Sequence, residues 1–407
     1  LILGTNSIKD SGFDVDNSLR FDSASSDSLT RSTTAGTRTT WTFSTWFKRS
    51  KLGVLQSILE HDDSNYFRIR LTSGDVFEVF DSNGNNTWNW NPLLRDISAW
   101  YHIVLRGDST DGTNGNRLRL YINGTLASAN TVASISQNYT FSFNQGGTLQ
   151  IGKRGSTDFF DGYLAETILI DGSALAPDQF GEFDSDSPTI WKPKNPSGLT
   201  FGSQGFYLDY KDSSALGNDV SGNNKDFTVN NLTAVDQSTD TCTNNFATLN
   251  PLLDVYNPAI FSNGNLTATG SGSGNARYAF SSFAVANGKW YYEVKVTVAG
   301  SNPYVGVIDA QSTLRRNSIY FVAAASGTNQ SGYAVNMTGD IYHNNSNSYA
   351  ANISNTSTGD ILGFAIDLDS AQRTCEIYRN GSSQRSFNLD EPTSGFYLLG
   401  ASSTYNQ

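Results

Sequence analysis

A polar segment between two predicted strands holds the side chains with the clearest capacity for chemistry. The segment reads DSTDGTNGN and offers oxygen ligands from Asp108, Asp111, Asn114 and Asn116. Calcium binds about six to eight oxygens from carboxylates, amides and backbone carbonyls, which such a loop can supply. The spacing fits no EF-hand, and a hairpin tip rich in turn-forming residues has the same composition. The sequence therefore predicts either a calcium site or a solvated tip.

The run NNTWNWNP has a composition that suits a carbohydrate ligand. Trp88 and Trp90 have the same parity in a predicted strand, and Asn89 lies between them on the opposite side. An exposed indole can stack on the apolar face of a sugar ring, while an Asn amide both donates and accepts hydrogen bonds. Large aromatic residues are usually buried, so the same pattern also fits two tryptophans that close the core.

Catalytic patterns are not evident in the chain. His61, His102 and His343 are scattered and have no metal-ligand spacing. Retaining glycosidases need two carboxyl groups about 5 Å apart, and no E-x-D-x-x-E tract occurs here to provide them. The acidic run 182–186 lies in a polar segment and is interpreted as a solvated loop. We therefore predict a protein without enzymatic activity.

Charge and length restrict the partners and the number of domains. The chain has 407 residues and a formal net charge of −11. An acidic surface without Lys/Arg clusters argues against a nucleic-acid partner, and no apolar run is long enough to cross a bilayer. The length predicts two domains, and Cys242 and Cys375 are interpreted as two separate thiols.

Short alternating runs separated by Gly, Asn and Asp dominate the chain and predict an all-β protein. Trp41, Phe43 and Phe47 share one face of a predicted strand, and Leu118 and Leu120 share the inward face of another. A hairpin is predicted where two such runs meet at Ser73-Gly74.

The first half of the chain resembles a laminin-G-like, concanavalin-A-like jelly roll. The resemblance is carried by WTFSTWFK, WYHIV, LYING and FDGYLAETILIDGSAL, which begin at positions 41, 100, 120 and 160. It implies a β-sandwich over residues 1–188. The family usually has an acidic pair near Ala165-Glu166, of which only Glu166 is present. The fold sometimes carries a metal after a strand end, which makes Asp62 and Asp63 a second candidate calcium pair.

The second half, residues 241–407, resembles a SPRY domain. GKWYYEV, YVGV, GDILGFAIDLD and an Asn-Gly hairpin occur in that order. The resemblance implies a second β-sandwich whose end loops bind partners. In those loops Arg315, Arg316, His343 and Asn344 are candidate contacts, although they also fit solvated tips. Between the sandwiches we predict a Pro/Gly/Asn-rich connector with some strand over residues 189–240, which could include a last strand of the first domain.

The order of these segments resembles virion proteins of tailed bacteriophages. LDYKDSS and CTNNFATLNPL, which begin at positions 208 and 242, contribute to the resemblance. It implies a virion surface protein, tail-fibre-like or decorating the particle, that forms a homo-oligomer and contacts other virion proteins. Two recognition-type sandwiches in tandem then predict adhesion to host glycans. A structural capsid or tail cement protein and a polysaccharide depolymerase are the alternatives.

Overall fold

The computed structural model describes residues 12–91, 93–253, 258–270, 277–299, 303–310, 332–343, 346–350, 352–392 and 394–404. These residues form strands, turns and four short 3-10 helices, without an α-helix among them. None of the described segments is a helix that could span a bilayer. The chain divides into two compact units, one of Gly4–Phe246 and the other formed mainly by Ala247–Gln407. The predicted all-β class and the tandem β-sandwiches are confirmed.

The first unit is a sandwich of two antiparallel sheets. Its strands are β1 (Ser18–Phe21), β2 (Ser28–Thr33), β3 (Thr40–Arg49), β4 (Gln56–Asp62), β5 (Tyr66–Leu71), β6 (Phe77–Asp81), β7 (Asn86–Trp90), β8 (Trp100–Asp108), β9 (Leu118–Ile122), β10 (Thr125–Leu126), β11 (Ala129–Val132), β12 (Gly147–Ile151), β13 (Gly162–Asp171), β14 (Gly181–Phe183), β15 (Trp191–Pro193), β16 (Phe206–Leu208), β17 (Thr228–Asn230) and β18 (Gln237–Ser238). Its 3-10 helices are Asn114–Asn116, Pro177–Gln179, Pro196–Gly198 and Ala234–Asp236. Sheet A has the order β10-β9-β8-β3-β13-β1-β18, with β16 beside β13, and sheet B has the order β11-β7-β6-β5-β4-β12-β2-β17.

The core between the two sheets follows from strand alternation. Phe43 of sheet A and Ile69 and Val79 of sheet B are fully buried in one cluster. Trp41 meets three phenylalanine rings edge to face, the closest at 4.6 Å between ring centroids. Gly107 lies opposite Trp41 on the neighbouring strand, and a Cβ there would come within 2.5 Å of the indole. Glycine is therefore required at that position for the ring to lie against β8.

Sheet A is buried on its second face as well. Every residue of β13 is buried, and only the first residue of β3 is not. Strands with apolar side chains on both faces need a cover on each side. The cover comes from the chain after β13, where Trp191, Phe201 and Tyr207 join clusters on this face.

The predicted connector over residues 189–240 is instead part of the first sandwich. Strands β16, β17 and β18 pair with β13, β2 and β1, and contacts place the division between the units after Phe246. The alternation of Phe206 and Leu208, which face the core, predicted strand there, and the pairing with β13 fits the alternative of a last strand of the first domain. The physical reason is the two-sided burial of sheet A, which needs this segment as its cover.

His102 belongs to β8 of sheet A, and its side chain faces the cover. Its ring stacks on Trp46 with the centroids 4.6 Å apart. The indole N–H of Trp191 donates to Nδ1 at 2.9 Å, which leaves Nε2 to donate to Ser44 Oγ at 2.8 Å. Burial lowers the pKa of His102 to about 3. These contacts give His102 a structural role.

The second unit is also built from two main sheets. Its strands are β19 (Ile260–Ser262), β20 (Thr267–Thr269), β21 (Arg277–Ala279), β22 (Ala284–Val285), β23 (Lys289–Lys295), β24 (Tyr304–Asp309), β25 (Gly332–Asn336), β26 (Ile341–His343), β27 (Ser346–Ala350), β28 (Ile361–Asp367), β29 (Thr374–Arg379), β30 (Ser382–Asn388) and β31 (Tyr397–Thr404). One sheet has the order β21-β31-β24-β25-β26-β27, with β22 beside β31, and the other has the order β23-β28-β29-β30. Strands β19 and β20 form a separate hairpin.

Most of the GKWYYEV motif forms β23, and its residues alternate between the two faces of that strand. Trp290, Tyr292 and Val294 pack on the core of the second unit, and the Tyr292 ring stacks on Phe364 at 4.8 Å. On the opposite face the Tyr291 hydroxyl donates to Glu293 Oε1 at 2.7 Å. The cysteines are confirmed as two free, buried thiols.

We expect the two buried histidines of the first unit to lower its stability in acid, whereas the raised pKa values of the buried carboxyls of Asp27 and Glu166, about 6 and about 8, act in the opposite direction. Burial also lowers the pKa of His61 to about 3. Below about pH 6.5 the unfolded chain binds protons that the folded chain does not, so the free energy of unfolding falls by about 1.4 kcal/mol per pH unit for each histidine until about pH 3. Urea unfolding of wild type and His102→Asn between pH 7 and pH 5 measures this slope.

The variant is less stable at pH 7, because its shorter side chain cannot reproduce the contacts with Trp191 and Ser44. Between pH 7 and pH 5 its free energy of unfolding should nevertheless fall by about 1.4 kcal/mol per pH unit less than that of wild type. Equal slopes in the two proteins would contradict the assignment.

Candidate functional site

The face of sheet B that points away from the core carries a patch of arginines, carboxylates and aromatic rings. We call this patch the outer face. Along a strand, the residues of the outer face alternate with buried residues such as Phe67 and Ile69, whose side chains point into the core. Its members are Glu60, Tyr66, Arg68, Arg70, Glu78, Phe80, Asn89 and Gln150.

Strand register brings these side chains into two neighbouring rows. In the first row Gln150, Glu60, Arg68 and Phe80 are successive cross-strand partners on β12, β4, β5 and β6. The second row contains Arg70, Glu78 and Asn89 on β5, β6 and β7. Directly paired residues on one face of a sheet have Cβ atoms about 5 Å apart, so each row is a line of contacts.

Each arginine of the outer face is paired with a carboxylate. Arg68 Nε donates to Glu60 Oε1 at 2.6 Å, and Arg70 Nε donates to Glu78 Oε1 at 2.6 Å. Charge-assisted bonds of this kind fix the orientation of a guanidinium group. The two guanidinium groups are therefore held in place before any ligand arrives.

The aromatic rings lie between the arginines. The Arg68 guanidinium lies 3.8 Å from the centroid of the Tyr66 ring, and that ring stacks on Phe80 with the centroids 5.7 Å apart. The Arg70 guanidinium lies 5.8 Å from the centroid of Phe80. All four of these side chains are half-buried, so each has surface that a ligand can reach.

The carboxylates below the arginines are more deeply placed. Glu60 is 1% exposed, and its second oxygen accepts a hydrogen bond from the Gly155 N–H at 3.0 Å. Burial raises the pKa of Glu60, while the bond from Arg68 lowers it. When the Asn89 amide is oriented so that its nitrogen can donate to both Glu78 and the Trp88 carbonyl, that nitrogen lies 3.0 Å from Glu78 Oε2. Asn89 is thus the one member of the predicted carbohydrate site that lies on the outer face.

Trp88 and Trp90 lie on the opposite side of sheet B, in the core. They are 1% and 4% exposed, and the Trp88 indole N–H donates to the Ala133 carbonyl at 2.9 Å. Neither ring has a face that could stack on a sugar. The predicted role in sugar binding does not fit this placement, whereas the alternative, that both tryptophans close the core, does.

The acidic loop at positions 108–116 is organised by its own hydrogen bonds. Asp108 Oδ1 accepts from both the N–H and the hydroxyl of Thr110, at 3.2 and 2.7 Å. Asp111 accepts through one oxygen from the Thr113 N–H at 2.7 Å and through the other from the Asn116 amide at 3.1 Å. These bonds are the turn-stabilising contacts that Asp and Asn make in hairpin tips.

The amide oxygens of Asn114 and Asn116 are also engaged. Asn114 Oδ1 accepts from the Ile135 N–H at 2.8 Å, and Asn116 Oδ1 accepts from Arg119. The Arg117 guanidinium donates to three backbone carbonyls, those of Asp111, Gly112 and Ile135. A guanidinium group therefore engages two of the loop's own carbonyls, those of Asp111 and Gly112, and these contacts fit the solvated tip that the sequence offered as the alternative to a calcium site.

The second candidate calcium pair is no better suited to a metal. Asp62 is half-buried at the end of β4, opposite Tyr66, and Asp63 is exposed with a single weak bond from Ser64 Oγ at 3.5 Å. Across the described ranges there is no group of three or more His, Cys, Asp or Glu side chains that could hold a metal.

The candidate contacts of the second unit are only in part described. Arg315, Arg316 and Asn344 lie outside the described residues. His343 is 6% exposed and stacks on Tyr333 with the ring centroids 4.0 Å apart. Its ring nitrogens lie 3.1 Å from the Gly332 carbonyl and 3.1 Å from an Asp390 carboxylate oxygen. It belongs to a packed aromatic cluster and presents little surface to a partner.

Sequence reasoning missed the arginines and the rings of the outer face. The signal was present in YFRIRL, where Tyr66, Arg68 and Arg70 alternate with three apolar residues. The following strand, FEVF, alternates in the same way. The observed hairpin pairs Arg70 with Glu78, one residue further along than a two-residue turn at Ser73-Gly74 would place it.

Comparison with known proteins supports the architecture of the first unit. Residues 22–179 match the family model described as the concanavalin A-like lectin/glucanases superfamily, so this region is a laminin-G/concanavalin A-like domain. No curated protein matches the chain.

Several solved structures are similar to parts of the chain. A heptameric SAP-like pentraxin from Limulus polyphemus is 16% identical, with 41% of this chain and 81% of that chain covered and a TM-score of 0.31. A putative carbohydrate binding protein from Bacteroides ovatus is 16% identical, with 54% and 59% covered and a TM-score of 0.39. A human SPRY domain is 18% identical, with 34% and 84% covered and a TM-score of 0.26.

We expect calcium to leave the thermal stability of the chain unchanged. A ligand that binds only the folded state raises Tm, and the oxygens of the 108–116 loop are already engaged by donors of the protein. Melting curves in millimolar CaCl2 and in EDTA should therefore agree to within about 1 °C. Asp111→Asn should lower Tm equally in both. A calcium-dependent rise in Tm that Asp111→Asn abolishes would contradict this account.

Proposed function

We propose that the first unit is a non-enzymatic carbohydrate-binding module and that the outer face of sheet B holds the glycan. The observation that carries the proposal is the interleaving of Tyr66 and Phe80 with Arg68 and Arg70 on one reachable surface. Aromatic rings offer the flat apolar surface on which a sugar ring stacks, and guanidinium N–H groups donate to its hydroxyls or carboxylates.

The ion pairs beneath the surface favour binding by pre-organisation. Glu60 and Glu78 each fix one guanidinium through its Nε. Less side-chain freedom is then lost when a ligand binds, which leaves more of the contact energy as affinity. Asn89, at the end of the second row, adds an amide group that can both donate and accept.

The positions of the two carboxylates favour binding over hydrolysis. Glu60 and Glu78 lie on β4 and β6, which are separated by β5. Their places in the register differ by about two residues along the strands, so their Cα atoms are about 12 Å apart. Retaining glycosidases hold two carboxyl groups about 5 Å apart. Each of these glutamates is, moreover, bonded to an arginine.

The setting that we propose for this module is the surface of a virion. The support is the resemblance of the segment order to virion proteins of tailed bacteriophages. Other virion proteins would be its neighbours and a host glycan its ligand. Single sugar contacts are weak, and repeated copies of the chain on one particle would raise the overall avidity.

A structural cement role is the second candidate for the chain. Stable subunit interfaces are depleted of charged residues at their centres. The outer face instead carries two arginines and two glutamates at its centre, which favours a polar ligand over a dry contact with a neighbouring subunit.

We expect substitutions of the two rings to abolish most of the glycan affinity without unfolding the chain. A glycan array and host cell envelopes identify the ligand, and calorimetry then measures Kd for Tyr66→Thr and Phe80→Thr. Loss of one stacking contact should raise Kd by about tenfold or more. Phe183→Thr is the matched control, because Phe183 is an exposed ring of the same unit outside sheet B and its loss should leave Kd unchanged.

Two results would contradict the proposal. One is a ligand whose Kd is unchanged by both ring variants. The other is release of reducing ends from the bound polysaccharide, which would favour the depolymerase instead.

A further inference from the structure

A lysine of sheet A is buried beneath the cover, where its amine lies among three oxygen atoms. Lys48 lies in β3, and its side chain is 1% exposed. Its Nζ lies 2.8 Å from Asp240 Oδ2, 2.8 Å from Asn245 Oδ1 and 2.8 Å from the Phe246 carbonyl. Lysine side chains are almost never fully buried unless they are paired, so this position is unusual.

The surroundings of the amine are apolar and aromatic. Trp100 and Tyr163 are the direct partners of Lys48 on the two neighbouring strands, and the Tyr163 ring centroid lies 5.9 Å from Nζ. Burial lowers the pKa of the Lys48 ammonium, while the nearby Asp240 opposes this shift. Burial makes proton loss from the ammonium easier than it is in water, and the neutral amine that results is a nucleophile.

Asp240 is held in position by groups other than the lysine. Its Oδ1 accepts from the Trp100 indole N–H at 2.9 Å and from the Phe246 N–H at 3.3 Å. Its Oδ2 is left to exchange a proton with Nζ at 2.8 Å. The carboxyl group is therefore oriented to act as a proton carrier for the amine.

The Asn245 amide is held with its carbonyl toward the amine. Its Nδ2 donates to the Ser98 carbonyl at 2.8 Å, and its Oδ1 points to Lys48 Nζ. A C=O bond is about 1.2 Å long, so Cγ lies within about 4 Å of Nζ. A nucleophile, an amide carbonyl and a proton carrier thus meet at one buried point.

We propose that Lys48 and Asn245 join in an intramolecular isopeptide bond, with Asp240 as the proton carrier. Nζ passes a proton to Asp240 and attacks Cγ of Asn245. The Nζ–Cγ bond forms and the Cγ–Nδ2 bond breaks. Asp240 returns that proton to the departing nitrogen, which leaves as ammonia, and then takes up the second proton that Nζ gives up. Nothing is oxidised or reduced, and no co-reactant is needed.

The bond would connect the centre of sheet A to the end of the first unit. Lys48 lies on β3, between β8 and β13, and Asn245 lies next to the last residue of this unit. A force applied to the chain after Phe246 would then reach β3 directly. Without the bond it would first pull the short strand β18 from β1. The inference does not depend on the proposed glycan binding.

The intact mass of the denatured, purified chain tests the proposal. We expect a mass below that of the sequence by about 17 Da, which is one ammonia. Trypsin should release the peptide 39–49, uncleaved at Lys48, joined covalently to the peptide 226–277. Tandem mass spectrometry of the joined pair locates the bond. It also excludes a loss of ammonia elsewhere in the chain.

Matched variants separate the bond from other effects. Lys48→Arg keeps the charge but cannot form the bond, so its mass should equal that of its sequence. Asn244→Ala alters the neighbouring, half-buried amide and should keep both the mass loss and the joined peptides. Wild type with the full sequence mass would overturn the proposal and leave Lys48 as an ammonium held by three acceptors. A loss of about 18 Da, with Lys48 joined to Asp240, would overturn the assignment of Asn245.

Discussion

The first unit depends on the burial of sheet A on both of its faces. One face of β3 and β13 packs against sheet B, and the other would be exposed if the chain ended after β13. Burial of apolar surface stabilises by about 25 cal/mol per Å2, so a sheet with two apolar faces gains strongly from a second layer. The chain provides that layer itself, through residues that include Trp191 and Tyr207. The buried Lys48–Asp240 pair is a consequence, because a lysine inside such a layer needs a counter-charge.

The same constraint leaves the outer face of sheet B as the surface for the proposed glycan binding. Its inner face completes the core, and its outer face carries the charged and aromatic rows. An arginine that is fixed by a glutamate and stacked beside a ring is a rigid donor for polar ligands. A rigid sandwich with a pre-organised surface fits recognition better than chemistry. This agrees with the well-separated, arginine-bound positions of Glu60 and Glu78.

Strand alternation was predictable from the sequence, but contacts between distant segments were not. A period of two correctly gave Trp88 and Trp90 one side of β7 and Asn89 the other, because side-chain parity is local. It did not decide which side faces the core. Which side faces the core depends on the partner strands. The apolar side is buried because its burial stabilises the fold more than burial of the polar side would. The loop at 108–116 shows the same limit, since its hydrogen bonds to Arg117 and Ile135 require the fold.

Hydroxyl-radical footprinting with and without the bound glycan tests the central claim most directly, because it reports which rings of sheet B reach solvent and ligand. We predict oxidation of Tyr66 and Phe80 in the free protein, protection of both by the glycan, and little reaction at Trp88 and Trp90 in either state. Glycan-dependent protection of the tryptophans, with Tyr66 and Phe80 unaffected, would contradict the claim.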